Sequence, residues 1–257
     1  MTAKNIHVEV RFHEGGFFSN FNKVTTFLRD TTDNVVKITW NLQGQPWGAF
    51  AYNCGEVFSK LFKEYNTGEK FDETIVLENY TSTEFTGKNV CSKYNENSWR
   101  ESFNKTLSFF QPQPLLKDYI QRVDSLFEGK EVIGILKRNC LLKCEQPSGE
   151  MPTFERYFSQ IDSIFNDDMF LYLSIDNVYD LNQFIKKYKR CIYNPKCRRS
   201  NTDLNIEPHF IPGNIMDAIY TYIEVYSLSK CKYFIHPVSN MATAVLYHNP
   251  AIQSTFL

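Results

Sequence analysis

The sequence predicts an α/β protein whose parallel sheets are covered by helices on both faces. Three observations carry this. From Val132 to Tyr247, strand-length apolar runs alternate with helical-period segments in the order β–α–β–α–β–loop–α–β–α, the alternation of a doubly covered parallel sheet. Near the start, the β-branched alternation Ile6-His-Val-Glu-Val-Arg-Phe12 runs through Gly15-Gly16 into a helical period at Phe21, Val24, Phe27 and Leu28, a strand–glycine loop–helix unit. Finally, Asp217 to Pro250 reads as helix, tight turn, strand, polar loop and helix.

Each element has its own reason. Val35 to Trp40 is a second strand, followed by an irregular loop from Asn41 to Gly48, and Val57, Leu61 and Phe62 mark a helix reaching Tyr65. Phe71 to Leu77 is a third strand, Tyr80 to Arg100 is polar and carries no assignment, and Trp99 to Phe110 reads as helix. Pro112 opens a further helix with Leu115, Leu116, Tyr119, Ile120, Val123, Leu126 and Phe127 on one face; proline is well placed near a helix start because its missing N–H has no partner there anyway. Glu128-Gly129-Lys130 is a break, taken as the boundary between domains 1–129 and 130–257. Beyond it come a strand at Val132–Leu136, a helix at Thr153–Phe165, a strand at Met169–Ser174, a helix at Tyr179–Tyr188 and a short strand at Arg190–Tyr193. Asn194 to Glu207, rich in Arg, Asn and Asp, is the lid candidate. The helix from Asp217, the strand Tyr233-Phe-Ile235 and the helix Met241–Tyr247 complete the half.

Composition narrows the function. The 257 residues can bury a core, and 28 basic against 29 acidic residues leave no basic stripe for nucleic acid. Twenty-two Phe and 15 Tyr argue against disorder. No apolar run has the length of a membrane span, and the start lacks a signal-peptide core, so the expectation is a cytoplasmic enzyme, virus-encoded or bacterial. Seven cysteines without a secretion signal are expected as thiols. Cys140-x3-Cys144 and Cys191-x5-Cys197 lack the partners of a zinc site. Asn79 and Asn104 fit glycosylation sequons, a pattern that also arises by chance.

The candidate chemistry lies at strand ends. His13 or Glu14, after the first strand, can act as a general base, and a solvated loop position is the plain alternative. Gly15 and Gly16 allow a ligand close to the backbone. Lys137-Arg138, at the end of the strand from Val132, can bind a diphosphate through charge-assisted hydrogen bonds or form a solvated strand exit. His236-Pro-Val-Ser239-Asn240 leads into a helix whose N-terminal N–H groups suit a phosphate, while Ser239 or Asn240 can equally be an ordinary helix cap.

Taken in order, these segments resemble the fucosyltransferase-like glycosyltransferases, the group holding the α1,6- and α1,2-fucosyltransferases and the protein O-fucosyltransferases. Ile133-Gly-Ile-Leu-Lys-Arg138 is similar to that family's "GVHIR" strand, with Arg138 on the arginine that contacts the donor diphosphate. Leu171 to Asn177 resembles its strand-to-"SDD" segment, which puts Ser174 and Asp176 near the donor. Asp217 to Asn240 resembles its closing "L-S-x-C-x-x-x-I" and Ser-Asn segment, with Ser239 and Asn240 on the donor phosphates and His236 beside them. His13 to Asn20 is similar to the family's first glycine-rich loop, and Ile38-Thr39-Trp40 to its "V-D-W" strand. Two positions depart from the pattern: Leu136 stands in place of a histidine and Thr39 in place of an aspartate.

The resemblance implies a GT-B-type fold, two Rossmann-like domains facing across a cleft, with the acceptor on residues 1–129 and the nucleotide-sugar donor on 130–257. It implies transfer of a sugar, fucose first, from a GDP-sugar (or UDP-sugar) to a hydroxyl of a glycan or glycoprotein. No cofactor or metal is expected, the anomeric centre would invert, Glu14 or His13 would serve as base, and Arg138 would stabilise the leaving diphosphate; Gly15, Gly16 and Lys137 complete the donor set. The two departures keep open another donor, a xylosyl or rhamnosyl sugar, and a non-catalytic glycan- or nucleotide-binding module of the same fold is the remaining alternative.

Overall fold

The computed structural model describes residues 3–11, 17–40, 57–77, 88–138, 146–201 and 214–257. The chain builds two parallel sheets. The first has the order β2-β1-β3, from β1 (Asn5–Val10), β2 (Asn34–Trp40) and β3 (Glu73–Val76). The second has the order β6-β5-β4-β7-β8, from β4 (Val132–Lys137), β5 (Phe170–Ile175), β6 (Cys191–Ile192), β7 (Tyr233–His236) and β8 (Gln253–Phe256). The helices are α1 (Phe17–Asp30), α2 (Phe58–Leu61), α3 (Lys88–Lys93), α4 (Asn97–Asn104), α5 (Pro114–Phe127), α6 (Phe154–Asp162), α7 (Val178–Lys187), α8 (Ile215–Ser229) and α9 (Asn240–His248), with a 3-10 turn at Lys105–Phe109.

The second sheet decides where a ligand can sit. Its first strand, β4, is central; the chain builds outward through β5 to β6, then returns across β4 to add β7 and β8. This reversal opens a crevice beyond the carboxyl ends of β4 and β7, where open α/β sheets bind ligands. β4 is buried along its whole length up to Lys137, so its sequence is a continuous apolar run rather than an alternation. Gly134 is there for space: a Cβ would come to 3.0 Å from both Cys231 Sγ and Leu228 Cδ2, so α8 packs close only over glycine.

Local signals set the helix starts. Asn214 and Asp217 form a reciprocal capping box on α8, Asn177 caps α7, Thr153 caps α6 and Ser239 caps α9. Two expectations need correction. The helix expected from Val57 to Tyr65 is only the single turn α2, because Phe62 leaves in extended backbone and joins Pro112 in an isolated bridge. β8, the polar run Gln253-Ser-Thr-Phe256, gives no strand signal in the sequence; β7 recruits it as an edge.

One apolar core runs through β1, α1, α4, α5, α8 and α9, and so continues across residues 129–130, while a second fills the opposite face of the second sheet around Ile133, Tyr157, Leu173 and Phe184. Two contacts tie α4 to α9 and to the β8 edge of the second sheet. Phe103 stacks on Tyr247 of α9 with centroids 4.0 Å apart. The buried Arg100 guanidinium donates to the carbonyls of Tyr94, Pro250 and Ile252 and to Ser254 Oγ, at 2.6 to 3.0 Å.

Candidate active site at the sheet reversal

Three strand ends expected to share a sheet edge do meet. Arg138, just past β4, is 7% exposed. Its Nη1 lies 3.0 Å from the Asp176 carboxylate past β5 and donates at 3.4 Å to Met241 Sδ in the first turn of α9. Ser239 accepts at 3.0 Å from the Ala242 N–H, and Thr243 N donates to the Ser239 carbonyl, which leaves the N–H groups of Asn240 and Met241 without an acceptor inside the helix. An arginine beside two outward-facing N–H groups makes an anion cradle. α1 closes one side: Asn22 Nδ2 donates to both the carbonyl and the side-chain oxygen of Asn240, each at 3.1 Å.

The remaining expected residues divide. Lys137 is engaged: its ammonium pairs with Asp180 in the first turn of α7 and lies 4.9 Å over the Phe154 ring. Ser174 is buried and hydrogen-bonds the carboxyl of Glu224. His236 is sealed inside, with Nδ1–H donating to the Pro237 carbonyl at 3.0 Å, its ring stacked 4.4 Å from Phe234 and edge-on to Tyr94. Burial holds its pKa down to about 4, so in this arrangement it is a neutral packing residue that shapes the turn. His13, Glu14, Gly15 and Gly16 lie outside the described residues, as does the lid candidate beyond residue 201. The described part of that segment is anchored: Ser200 exchanges backbone hydrogen bonds with Asp176 and Val178 beside β5.

Several polar residues escaped the sequence reading. Glu224 of α8 is fully enclosed and receives the Tyr172 hydroxyl at 2.8 Å. Burial raises its carboxyl above the usual range, opposed by the hydrogen bonds from Ser174 and Tyr172. Its signal was an acidic residue on the buried stripe of a helical period. Gln146 makes a two-way amide pair with the backbone of Val238, bracing the turn before α9. Lys23, on α1, is 7% exposed, and among the described residues its Nζ has no hydrogen-bond partner. Burial alone pushes its ammonium down to about 8.

Asn166-Asp167-Asp168 is a turn in which Asn166 Oδ1 accepts from the Asp168 N–H. Asn104, in a sequon, spends its amide on the Tyr247 carbonyl at 2.7 Å. Among the described residues no group of three or more His, Cys, Asp or Glu is gathered to hold a metal ion, and no helix is long and apolar enough to cross a membrane.

No protein-family model and no curated protein matches this sequence. Solved structures do match in shape. The α-1,6-fucosyltransferase NodZ soaked with GDP-fucose superposes with a TM-score of 0.55 at 12% identity, over 97% of this chain and 94% of that one. The NodZ fucosyltransferase from Bradyrhizobium gives 0.54 at 11% identity, over 95% and 92%. At such identities the likeness is one of architecture, and it agrees with the two parallel sheets and the sheet reversal described above: the chain has a GT-B-type α/β fold.

Proposed function

We propose that the protein is a glycosyltransferase that moves a sugar, fucose first among the candidates, from a nucleoside-diphosphate donor to a hydroxyl of a glycan. The observation that carries this reading is Arg138 at the sheet reversal, in contact with both Asp176 and the first turn of α9. GDP is the first nucleotide to test, because the NodZ structures of this shape include one soaked with GDP-fucose and one co-crystallised with GDP.

In this reading residues 130–257 hold the donor, with its diphosphate against Arg138 and the N–H groups of Asn240 and Met241, while residues 1–129 present the acceptor. The acceptor oxygen attacks the anomeric carbon as the bond from that carbon to the phosphate oxygen breaks. The electron pair leaves with the nucleoside diphosphate, and the acceptor proton passes to Glu14 or His13. Attack opposite the leaving group inverts the centre. Arg138 and the helix N-terminus offset the charge that grows on the leaving phosphate, so no metal is required. A second reading, a donor sugar other than fucose, is favoured by Leu136, which is buried and apolar where the family carries histidine.

The test begins with thermal melts against GDP and UDP, since a ligand that binds only the native state raises the melting temperature. The reading expects GDP to stabilise the protein and Glu14→Gln to cut transfer at least a hundredfold with GDP affinity unchanged. A fully active Glu14→Gln variant removes Glu14 as base. Absence of binding to either nucleotide removes the donor-site reading.

A further inference from the structure

The diphosphate of a nucleotide sugar is anionic on both phosphates and gains more negative charge as it leaves. The two cations that follow β4 are both matched already: Lys137 by Asp180 and Arg138 by Asp176. Each pair is neutral overall, so Arg138 can still donate hydrogen bonds to the phosphates but neither pair adds net positive charge. Lys23 does. It is buried to the same degree as Arg138, its Nζ has no partner among the described residues, and no charged group contributes to its altered titration. A desolvated ammonium without an anion is costly, and a fold that keeps one holds it for a ligand or keeps it neutral.

Position favours the ligand. α1 starts at Phe17, right after the segment that links it to the carboxyl end of β1. Side chains on a helix lean toward its N-terminus, and the residues one turn back from Lys23 are Ser19 and Asn20. The preceding residue, Asn22, is clamped to Asn240, which brings this turn of α1 to the N-terminus of α9. The Arg138 guanidinium meets the same first turn of α9 through Met241.

We infer that Lys23 is the cation the N-terminal half contributes to the donor diphosphate, an inference that rests on the nucleotide-sugar reading above. The site is then complete only when both halves take part. Arg138 and the α9 N-terminus grip the diphosphate from one side, and Lys23 supplies the uncompensated charge from the other. Nucleotide binding thus draws on α1, and the Asn22–Asn240 contact sets the distance between the two sides.

The experiment is a calorimetric titration of GDP, and of guanosine as the phosphate-free control, into the wild type, Lys23→Met and Lys23→Arg. Loss of a charged hydrogen bond predicts GDP affinity weaker by about tenfold to a hundredfold in Lys23→Met. Lys23→Arg keeps the charge and stays within a few fold of wild type, and guanosine binds all three alike. Lys23→Met should also melt no lower than wild type in the absence of ligand, because it removes a buried charge; if it proves unfolded by circular dichroism, Lys23→Gln is read in its place. Unchanged GDP affinity in the neutral variant overturns the inference and leaves the Arg138 site standing. Equal weakening of GDP and guanosine overturns it as well, since the effect would not lie at the phosphates. No GDP binding by the wild type overturns both this inference and the donor-site reading.

Discussion

At the carboxyl ends of β4 and β5, Lys137 faces Asp180 and Arg138 faces Asp176. In the middle of α1, Lys23 has no such neighbour, although it and Arg138 are each 7% exposed. Equal burial with opposite pairing separates two uses of charge. The matched pairs fix where strand ends and helix starts lie, because either member left alone would be an uncompensated buried charge. The unmatched ammonium fixes nothing in the folded chain. It holds free energy in reserve, which an arriving anion can release.

The largest expected effect falls on the matched side. Arg138→Ala strands the Asp176 carboxylate and should cost about 3–5 kcal/mol in denaturant unfolding, whereas Arg138→Met combined with Asp176→Asn should recover most of that. A single variant as stable as wild type would show that the pair does not hold the strand ends, and the contrast with Lys23 would collapse. The next effect sharpens the unmatched side. Lys23 titrates near 8 in the folded protein against 10.5 for an unhindered lysine. Between those values the unfolded chain binds more protons, so stability should rise with pH from about 8 to 10.5, by up to about 1.4 kcal/mol per pH unit. Lys23→Met should flatten that rise relative to wild type; parallel curves would mean that the ammonium is not desolvated. The smallest effect lies where the two regions meet. Ser239→Ala removes the cap of α9 and should cost about 1 kcal/mol by thermal melting, with the sheet reversal otherwise intact. A loss several times larger would mean that the cap also holds Asn240 against α1.

The parts of this arrangement that the sequence made visible are those written in local patterns. β4, β5 and β7 are apolar runs between polar breaks, and α8 carries its capping box in Asn214 and Asp217. Arg138 and Asp176 were legible because strand ends in an alternating α/β chain share an edge. Their pairing was not legible, since it depends on neighbours 38 residues apart. Lys23 was invisible for a related reason: a lysine in an amphipathic helix is ordinarily solvated, and only packing from remote segments buries it. His236 shows the reverse. A histidine before a polar loop suggests a ligand, yet the rings of Phe234, Tyr94 and Phe256 close around it. Arg100 likewise sits where an unassigned polar stretch meets a helical pattern, and three of its four acceptors lie about 150 residues away.

That last separation bears on how the protein is made. Among the described residues, the Arg100 guanidinium donates to the nearby Tyr94 carbonyl and to Pro250, Ile252 and Ser254. At about 5–20 residues per second of synthesis, the last three of those acceptors emerge roughly ten to thirty seconds after the arginine does. Through that interval α4 cannot close over its final partners, and the apolar faces it will share with α9 stay open to water or to a chaperone. Synthesis of β8, rather than completion of the first sheet, is therefore the event after which α4 can reach its native packing.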